Sequence, residues 1–161
     1  MIIRREEPAD ISAIRQIVEA AFPTSAEARL VDRLRSDGEA VISMVAFESG
    51  VVVGHTMLSK MAAPFRALGL GPVAVVPDQQ RKGIGGSLVR SALKEAEQEG
   101  WQGVFVLGDP ALYRKFGFDP ALASGFASPY AGPHLMALSF KGPLPVATGK
   151  IDYAPAFAML V

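Results

Sequence analysis

An apolar run that ends at a proline and continues into a basic, glycine-rich turn constrains the fold of this chain more than any other feature. The run is Val73-Ala74-Val75-Val76-Pro77, and the turn is Arg81-Lys82-Gly83-Ile84-Gly85-Gly86-Ser87. Glycine lets backbone N–H groups approach an anion closely, and the free N–H groups of a first helical turn carry partial positive charge. The pattern therefore predicts a strand, a phosphate-binding turn and a helix, with a plain surface turn as the alternative.

The composition limits the classes of protein that this chain can belong to. With 161 residues, 50% hydrophobic and 20% charged, it fits one globular domain over residues 1–161. Lys plus Arg and Asp plus Glu number 16 each, so a general binder of nucleic acid or of anionic membranes is not expected. The chain has no cysteine, which excludes disulfides and thiol catalysis, and its two histidines predict no metal site. Residues 1–7 lack the apolar core of a signal peptide, which favours the cytoplasm.

The periodicity of apolar residues predicts an alternation of strands and helices. Strands are expected at residues 2–3, 41–47, 51–58, 68–76, 104–107, 135–140 and near 151–160, and helices at 8–22, 24–37, 83–99 and 111–116. The order of strand, helix and strand across residues 68–107 predicts a right-handed βαβ unit. Prolines and glycines in the apolar stretch 120–140 exclude a membrane helix and predict an irregular connection there.

Several familiar functional motifs are missing. Gly83-Ile84-Gly85-Gly86-Ser87 has no lysine before the hydroxyl residue, so the turn is not that of a P-loop nucleoside triphosphatase. Gly69-Leu70-Gly71-Pro72-Val73-Ala74 matches a loose dinucleotide-binding pattern, but it precedes a strand rather than a helix. There is no G-x-S-x-G nucleophile elbow either.

Two further segments make the turn more specific. Gln80-x-x-Gly83-x-Gly85 is followed about thirty residues later by Leu112-Tyr113-Arg114-Lys115-Phe116-Gly117-Phe118. The combination resembles the GNAT superfamily of acyl-CoA-dependent N-acyltransferases. The segments Leu107-Gly108-Asp109-Pro110 and Tyr153-x-Pro155-Ala156-Phe157 are similar to the bacterial YhbS-type branch.

The resemblance implies an α/β fold of three layers, in which a mixed sheet is splayed between two parallel strands and has helices on both faces. It implies acetyl-CoA as cosubstrate in the gap between residues 70–76 and 104–107. The backbone of Val73, Ala74 and Val75 would pair with the pantetheine arm. Arg81, Lys82, Gly83, Ile84, Gly85 and Gly86 would surround the pyrophosphate, and Ser87 would add a hydroxyl donor. The family tyrosine that returns a proton to the thiolate matches Tyr113, whereas the asparagine that many members use on CoA has no counterpart, because the chain contains no asparagine.

The motifs do not identify a general base that would remove a proton from the amine. An alkyl amine with a pKa near 10.4 costs about 4.6 kcal/mol to deprotonate at pH 7, whereas an α-amine costs about 1 kcal/mol. His55 lies in an otherwise apolar strand and is either a proton relay or a hydrogen-bonded core histidine. Asp109 follows the second parallel strand and either accepts a hydrogen bond in the site or caps the helix that begins at Pro110.

These features predict transfer of an acetyl group from acetyl-CoA to a primary amine by direct attack in a ternary complex. Backbone N–H groups near Val75 would stabilise the oxyanion. The acceptor would be a small molecule or a peptide, bound by residues 22–34 and 123–133 with Phe126 and Tyr130 as aromatic surface. The alternatives are a non-catalytic acyl-CoA-binding sensor or assembly protein, and a binder of another pyrophosphate ligand. We expect a monomer or homodimer without metal, nucleic-acid or membrane partners.

Overall fold

The computed structural model describes residues 1–160 of the chain. Its strands are β1 (Ile2–Arg5), β2 (Ala40–Glu48), β3 (Val51–Ala62), β4 (Ala67–Val75), β5 (Gly103–Leu107), β6 (Phe126–Ala127), β7 (Leu135–Ser139), β8 (Gly149–Lys150) and β9 (Asp152–Tyr153). Its α-helices are α1 (Ile11–Ala21), α2 (Ala26–Ser36), α3 (Ile84–Gln98), α4 (Pro110–Tyr113) and α5 (Pro120–Ala123). Short 3-10 segments lie at Pro8–Asp10, Pro77–Gln79, Arg114–Phe116 and Pro155–Leu160.

One mixed sheet organises the described residues. Its strands lie in the order β1-β2-β3-β4-β5-β7, and β9 pairs with the far end of β3. Neighbouring strands are antiparallel except for β4 and β5, which are parallel and are joined by α3. This is the βαβ unit that the sequence predicts, and the α/β fold with a mixed sheet is confirmed.

Helices cover both faces of the sheet, as the resemblance implies. α3 packs on one face through the apolar stripe Ile84, Leu88, Ala92 and Ala96, which are all buried. α1 and α2 cover the other face and bury Ile14, Val18 and Leu34 against the sheet. Each helix is amphipathic, so burial of one stripe against the sheet fixes its orientation.

The sheet divides between β4 and β5. Their pairing begins at Ala67 with Gly103 and ends at Leu70 with Val106. The pairing of β4 with β3, its other neighbour, continues past Leu70. The register of this pairing shifts there, because Leu58 pairs with Leu70 whereas Thr56 pairs with Val73. Two residues of β4 therefore lie opposite Met57, which is the geometry of a β-bulge. Bulges bend a strand and increase its twist, and here the bulge lies where β4 leaves β5.

The C-terminal segment differs from the prediction. A strand was expected near residues 151–160, but the structure has only the two-residue β9 followed by the 3-10 segment Pro155–Leu160. Pro155 explains the difference, since proline has no N–H for a strand ladder and its φ suits the first position of a helical turn. The 3-10 segment packs against α2. Within residues 1–160, none of the helices combines the length and the apolarity that crossing a membrane requires.

Candidate active site

The gap beyond Leu70 leaves one edge of β4 without a neighbouring strand. Val76 N donates to Val53 O at 2.9 Å, so these two residues form a hydrogen-bonded pair between β4 and β3. Bonded and non-bonded pairs alternate along an antiparallel ladder, so Val75 and Val73 direct their N–H and C=O groups away from β3, into the gap. Ala74 forms the intervening bonded pair with His55 and directs its backbone groups to β3. Of the three residues expected at the pantetheine arm, only Val73 and Val75 thus present backbone groups to the gap.

The glycine-rich turn lies at the mouth of this gap. The amides of residues 81–86 donate no hydrogen bond within the described part of the chain. Gly83 caps α3 in the left-handed region with φ +84°, and Arg81 has φ +66°, which costs energy for a residue with a Cβ atom. Backbone strain of this kind is typical of sites where the chain is shaped for a ligand.

The side chains of the turn divide into two groups. Arg81 and Lys82 are exposed, while the Ile84 side chain is buried in the core, so Ile84 offers only its amide. Gln80 Nε2 donates to Val75 O at 3.0 Å and ties the turn to the free edge of β4. The result is a positively charged N-terminus of α3, open to solvent, which is the arrangement that binds phosphate groups.

A cavity of about 430 Å³ continues from the gap into the protein. One wall comes from β4, β5 and α4, through residues 70–73, 106–107 and Tyr113. The other lining residues come from the corner between α1 and α2 and from the C-terminal part of the chain. They are Phe22, Glu27, Leu30, Tyr130, Tyr153, Phe157 and Leu160. The cavity therefore joins the open strand edge to a mostly aromatic and apolar pocket.

Tyr113 lies where the two strands diverge. Its ring packs edge-on against Phe118, with a centroid distance of 6.0 Å, and against Gly108. A Cβ atom on Gly108 would lie 2.6 Å from Cε2 of Tyr113, so the ring occupies space that only glycine leaves free. Burial raises the pKa of Tyr113, which keeps the phenol protonated at neutral pH. The hydroxyl is therefore a hydrogen-bond donor at the cavity wall.

Asp109 has a structural partner. Its carboxylate accepts a hydrogen bond from Ala111 N at 2.9 Å and caps α4, which is one of the two roles considered for it. The cap fixes the start of the short helix that carries Tyr113. The carboxylate thus contributes to the position of the phenol through the backbone.

His55 lies outside the cavity. Its ring has no solvent exposure, and its Nε2 is 2.8 Å from Oγ of Ser43 on the α1–α2 face of the sheet. Burial, with the nearby Arg35, lowers the pKa of His55 to about 3, although Glu6 opposes the shift. The structure thus gives a neutral core histidine, and His55 is not among the described residues that line the cavity.

Two cavity residues were given no individual role by the sequence. Glu27 falls within the range 22–34 expected at the acceptor, and its Oε1 is buried and it lines the cavity. Tyr153 was noted only as part of a family pattern, but its hydroxyl is buried in the same wall. Of the two aromatic residues expected at the acceptor, Tyr130 lines the cavity, whereas Phe126 is a core residue packed edge-on against Phe105 at 5.5 Å. Among residues 1–160, no group of three or more acidic or histidine side chains is arranged to hold a metal ion.

Comparison with known proteins supports the predicted family. Residues 11–118 match the model of the Acetyltransferase (GNAT) family. The uncharacterized N-acetyltransferase YjhQ of Escherichia coli (strain K12) is 35% identical over 136 residues, which cover 79% of this chain and 75% of that protein. The crystal structure of the GNAT family N-acetyltransferase YhbS from Escherichia coli in complex with CoA has a TM-score of 0.91 and 30% identity, and the match covers 98% of this chain and 91% of that one.

A second solved structure is similar over almost its whole length. The crystal structure of a GNAT family acetyltransferase from Brucella melitensis in complex with acetyl-CoA has a TM-score of 0.82 and 36% identity, and the match covers 97% of each chain. The likeness to YhbS and YjhQ confirms the bacterial branch that residues 107–110 and 153–157 indicate. This chain belongs to the GNAT family of acetyltransferases.

Proposed function

We propose that this protein binds acetyl-CoA in the gap between β4 and β5 and transfers its acetyl group to a primary amine by direct attack in a ternary complex. The single observation that carries the proposal is the unpaired edge of β4, where Val73 and Val75 direct their backbone groups into a gap that ends at Tyr113. An extended pantetheine arm can pair with such an edge in the manner of an added strand. Two similar proteins, one with CoA and one with acetyl-CoA in their crystal structures, support the choice of ligand.

The glycine-rich turn is the proposed pyrophosphate site. The free amides of residues 81–86 and the exposed Arg81 and Lys82 supply several donors to one anion. Each favourable contact of an anion with a helix N-terminus typically contributes about 0.3–1 kcal/mol, and several converge here. Ser87, in the first turn of α3, is assigned a further hydroxyl donor to the same group.

The chemical step needs an oxyanion donor and a donor to the leaving sulfur. The N–H of Val75 or of Val73 polarises the thioester carbonyl, because both N–H groups face the gap. Tyr113 donates a hydrogen bond to the thiolate as the C–S bond breaks. Its raised pKa makes complete proton transfer to a thiolate less favourable, so stabilisation by the hydrogen bond is the larger contribution.

Binding and kinetics test the proposal separately. Calorimetric titration should give tighter binding for acetyl-CoA than for ATP or NAD, and a preference for either nucleotide would refute the assignment of the turn. Initial rates measured while acetyl-CoA and an amine are both varied should give intersecting double-reciprocal plots. Parallel plots with isolation of an acetylated protein would refute direct attack.

The non-catalytic sensor makes a different prediction. It requires acetyl-CoA binding without release of CoA in the presence of any amine. The cavity of about 430 Å³ beside Tyr113 favours an enzyme, because a sensor needs no second binding space at the thioester.

A further inference from the structure

Two oxygen atoms in the cavity wall are buried without a hydrogen-bond partner among residues 1–160. They are Oε1 of Glu27 and the hydroxyl oxygen of Tyr153. Native proteins leave few buried polar atoms unpaired, because each one loses its hydrogen bonds to water without compensation. Where such atoms belong to the wall of a cavity, a ligand group is the natural missing partner.

The cavity has the electrostatic character of a cation site. Glu27 is its one charged lining residue, and the part of the chain that the structure describes brings neither Arg, Lys nor His into the wall. Glu27 also makes none of the salt bridges within residues 1–160. A carboxylate held in an apolar wall without a counter-ion favours a cationic ligand.

Three aromatic residues, Tyr130, Tyr153 and Phe157, line the same cavity as Glu27. Tyr153 packs edge-on against Tyr130 with a centroid distance of 5.6 Å and tilted against Phe157 at 5.0 Å. Ring faces attract an ammonium group and also bury apolar surface, so the wall suits a cation attached to an apolar body. A ligand carboxylate would find no cationic side chain among the residues that line this cavity and would meet the like charge of Glu27.

The position of Glu27 suits a reacting group. Glu27 lies in the first turn of α2, which packs against the segment Pro155–Leu160, so the carboxylate is carried by a helix with a fixed neighbour. Tyr113 and Val73, on the unpaired edge of β4, line the same cavity. An amine held by Glu27 would therefore share this cavity with the proposed thioester.

We propose that the α2 side of the cavity is the acceptor subsite, in which Glu27 binds the ammonium group and takes its proton while Tyr153 donates a hydrogen bond to the acceptor. The acceptor class is a primary amine on an apolar or aromatic body without a carboxylate, such as an arylalkylamine or an alkylamine. This inference rests on the proposed function, because it assigns the second substrate of the same site.

The protons balance in this scheme. The ammonium loses one proton to Glu27, and the neutral amine attacks the thioester carbon, so that a C–N bond forms. Collapse of the tetrahedral intermediate breaks the C–S bond and releases CoA as a thiolate. The amide nitrogen loses its second proton, which neutralises the thiolate, and Glu27 releases the first proton to solvent.

Phenylethylamine and hexylamine are the probes for the test, with release of CoA as the readout. Glu27→Gln should lower kcat/KM for either amine by about 100-fold at pH 7, in keeping with the loss of a general base. The residual rate should rise about tenfold per pH unit towards the pKa of the amine, because the amine must then lose its proton to water. The affinity for acetyl-CoA should stay within about twofold of the parent protein. Phenylalanine, which adds a carboxylate to phenylethylamine, should react at least tenfold more slowly.

Two further variants separate a role in the reaction from a role in folding. Glu19→Gln removes an exposed carboxylate of α1 and should match the parent in rate and in pH profile. Tyr153→Phe keeps the ring and removes the unpaired hydroxyl, so it should leave the thermal stability equal or higher while it raises KM for the amine severalfold. This variant keeps the test available if Glu27→Gln does not fold.

The outcomes distinguish this inference from the proposed function. If the parent binds acetyl-CoA but acetylates neither probe, or if Glu27→Gln acetylates phenylethylamine at the parental rate and pH profile, the acceptor assignment is wrong and the acetyl-CoA site stands. Faster reaction of phenylalanine than of phenylethylamine refutes the acceptor class. If the parent does not bind acetyl-CoA, the proposed function and this inference fail together.

Discussion

Protonation of His55 should lower the stability of the folded protein in mild acid. Ser43 donates its one hydroxyl hydrogen to Glu6, so the hydrogen between Ser43 and His55 belongs to Nε2 of the imidazole. Nδ1 is buried without a partner among the described residues and carries only a lone pair. A second proton on the ring would place an unpaired N–H and a positive charge in the core, near the guanidinium of Arg35. Glu6 is the one nearby group that favours the charged form, at 3.9 Å from Nε2.

The size of the effect follows from linkage between protonation and folding. The pKa of His55 is about 3 in the folded protein and 6.5 in its ordinary environment, so the unfolded chain binds the proton more tightly. Stability is therefore complete above pH 6.5 and is lost as the pH falls towards 3. Between pH 7 and pH 5 this one group should remove about 2 kcal/mol from the free energy of unfolding. A typical domain has only about 5–15 kcal/mol in total.

Urea unfolding at pH 7, 6 and 5 measures this loss of stability, provided that the slope of the unfolding free energy against urea concentration is the same at each pH. Burial alone would raise the pKa of Glu6, but hydrogen bonds from Arg35 and Ser43 keep this pKa below its ordinary value. Protonation of Glu6 therefore changes the stability mainly below pH 5, outside the range of the experiment. His55→Gln should lose about 2 kcal/mol less than the parent between pH 7 and pH 5. His134→Gln, which changes an exposed histidine, should behave as the parent does. Equal losses in His55→Gln and in the parent would refute the argument.

Three further predictions concern the proposed acetyl-CoA site. Tyr113→Phe should lower kcat about 30-fold, since a hydrogen bond to a charged group contributes about 2 kcal/mol. The affinity for acetyl-CoA should stay within about twofold of the parent protein. An unchanged kcat would remove Tyr113 from the mechanism. Gly108→Ala places a methyl group 2.6 Å from Cε2 of Tyr113, so kcat should fall while the affinity for acetyl-CoA is kept, and a parental rate would show that the ring position is not critical. Gly83→Ala and its control Gly100→Ala both change a glycine with φ +84°, so both variants should lose about 1–2 kcal/mol of stability. Only Gly83→Ala should weaken acetyl-CoA binding. Equal affinities of the two variants for acetyl-CoA would show that the turn does not bind the pyrophosphate.

Local patterns were enough to predict the elements that form the donor side of the site. The apolar spacing of residues 84, 88, 92 and 96 defines α3, and the strand on each side of it defines the parallel pair β4 and β5. Glycine at position 83 marks the end of the turn, because the left-handed region is open to it without strain. These signals lie within about forty residues of one another, and the family motif adds Tyr113 to them.

On the proposed acceptor side, the family resemblance indicated residues 22–34 and Tyr130, but the roles of Glu27 and Tyr153 could not be predicted, since they depend on contacts between distant parts of the chain. Glu27 has the periodicity of a polar helix face, and it becomes a cavity residue only because Pro155–Leu160 packs over α2. Tyr153 lies in a stretch whose apolar composition suggested a strand, while Pro155 ends that strand after two residues. The environment of His55 likewise depends on distant residues, namely Ser43 of β2 and Glu6, which directly follows β1.

Under the proposed function, the gap between β4 and β5 would make a small molecule part of the architecture of the sheet. An open strand edge inside a sheet is a template on which other chains can pair, and natural proteins usually cover such edges with their own residues. A ligand that fills the gap in the folded state stabilises that state by mass action, by about 2.7 kcal/mol at a concentration of 100 Kd. Under the proposed function, the supply of acetyl-CoA would then govern the lifetime of the folded chain as well as its turnover, and starvation for the donor would show itself as loss of the protein.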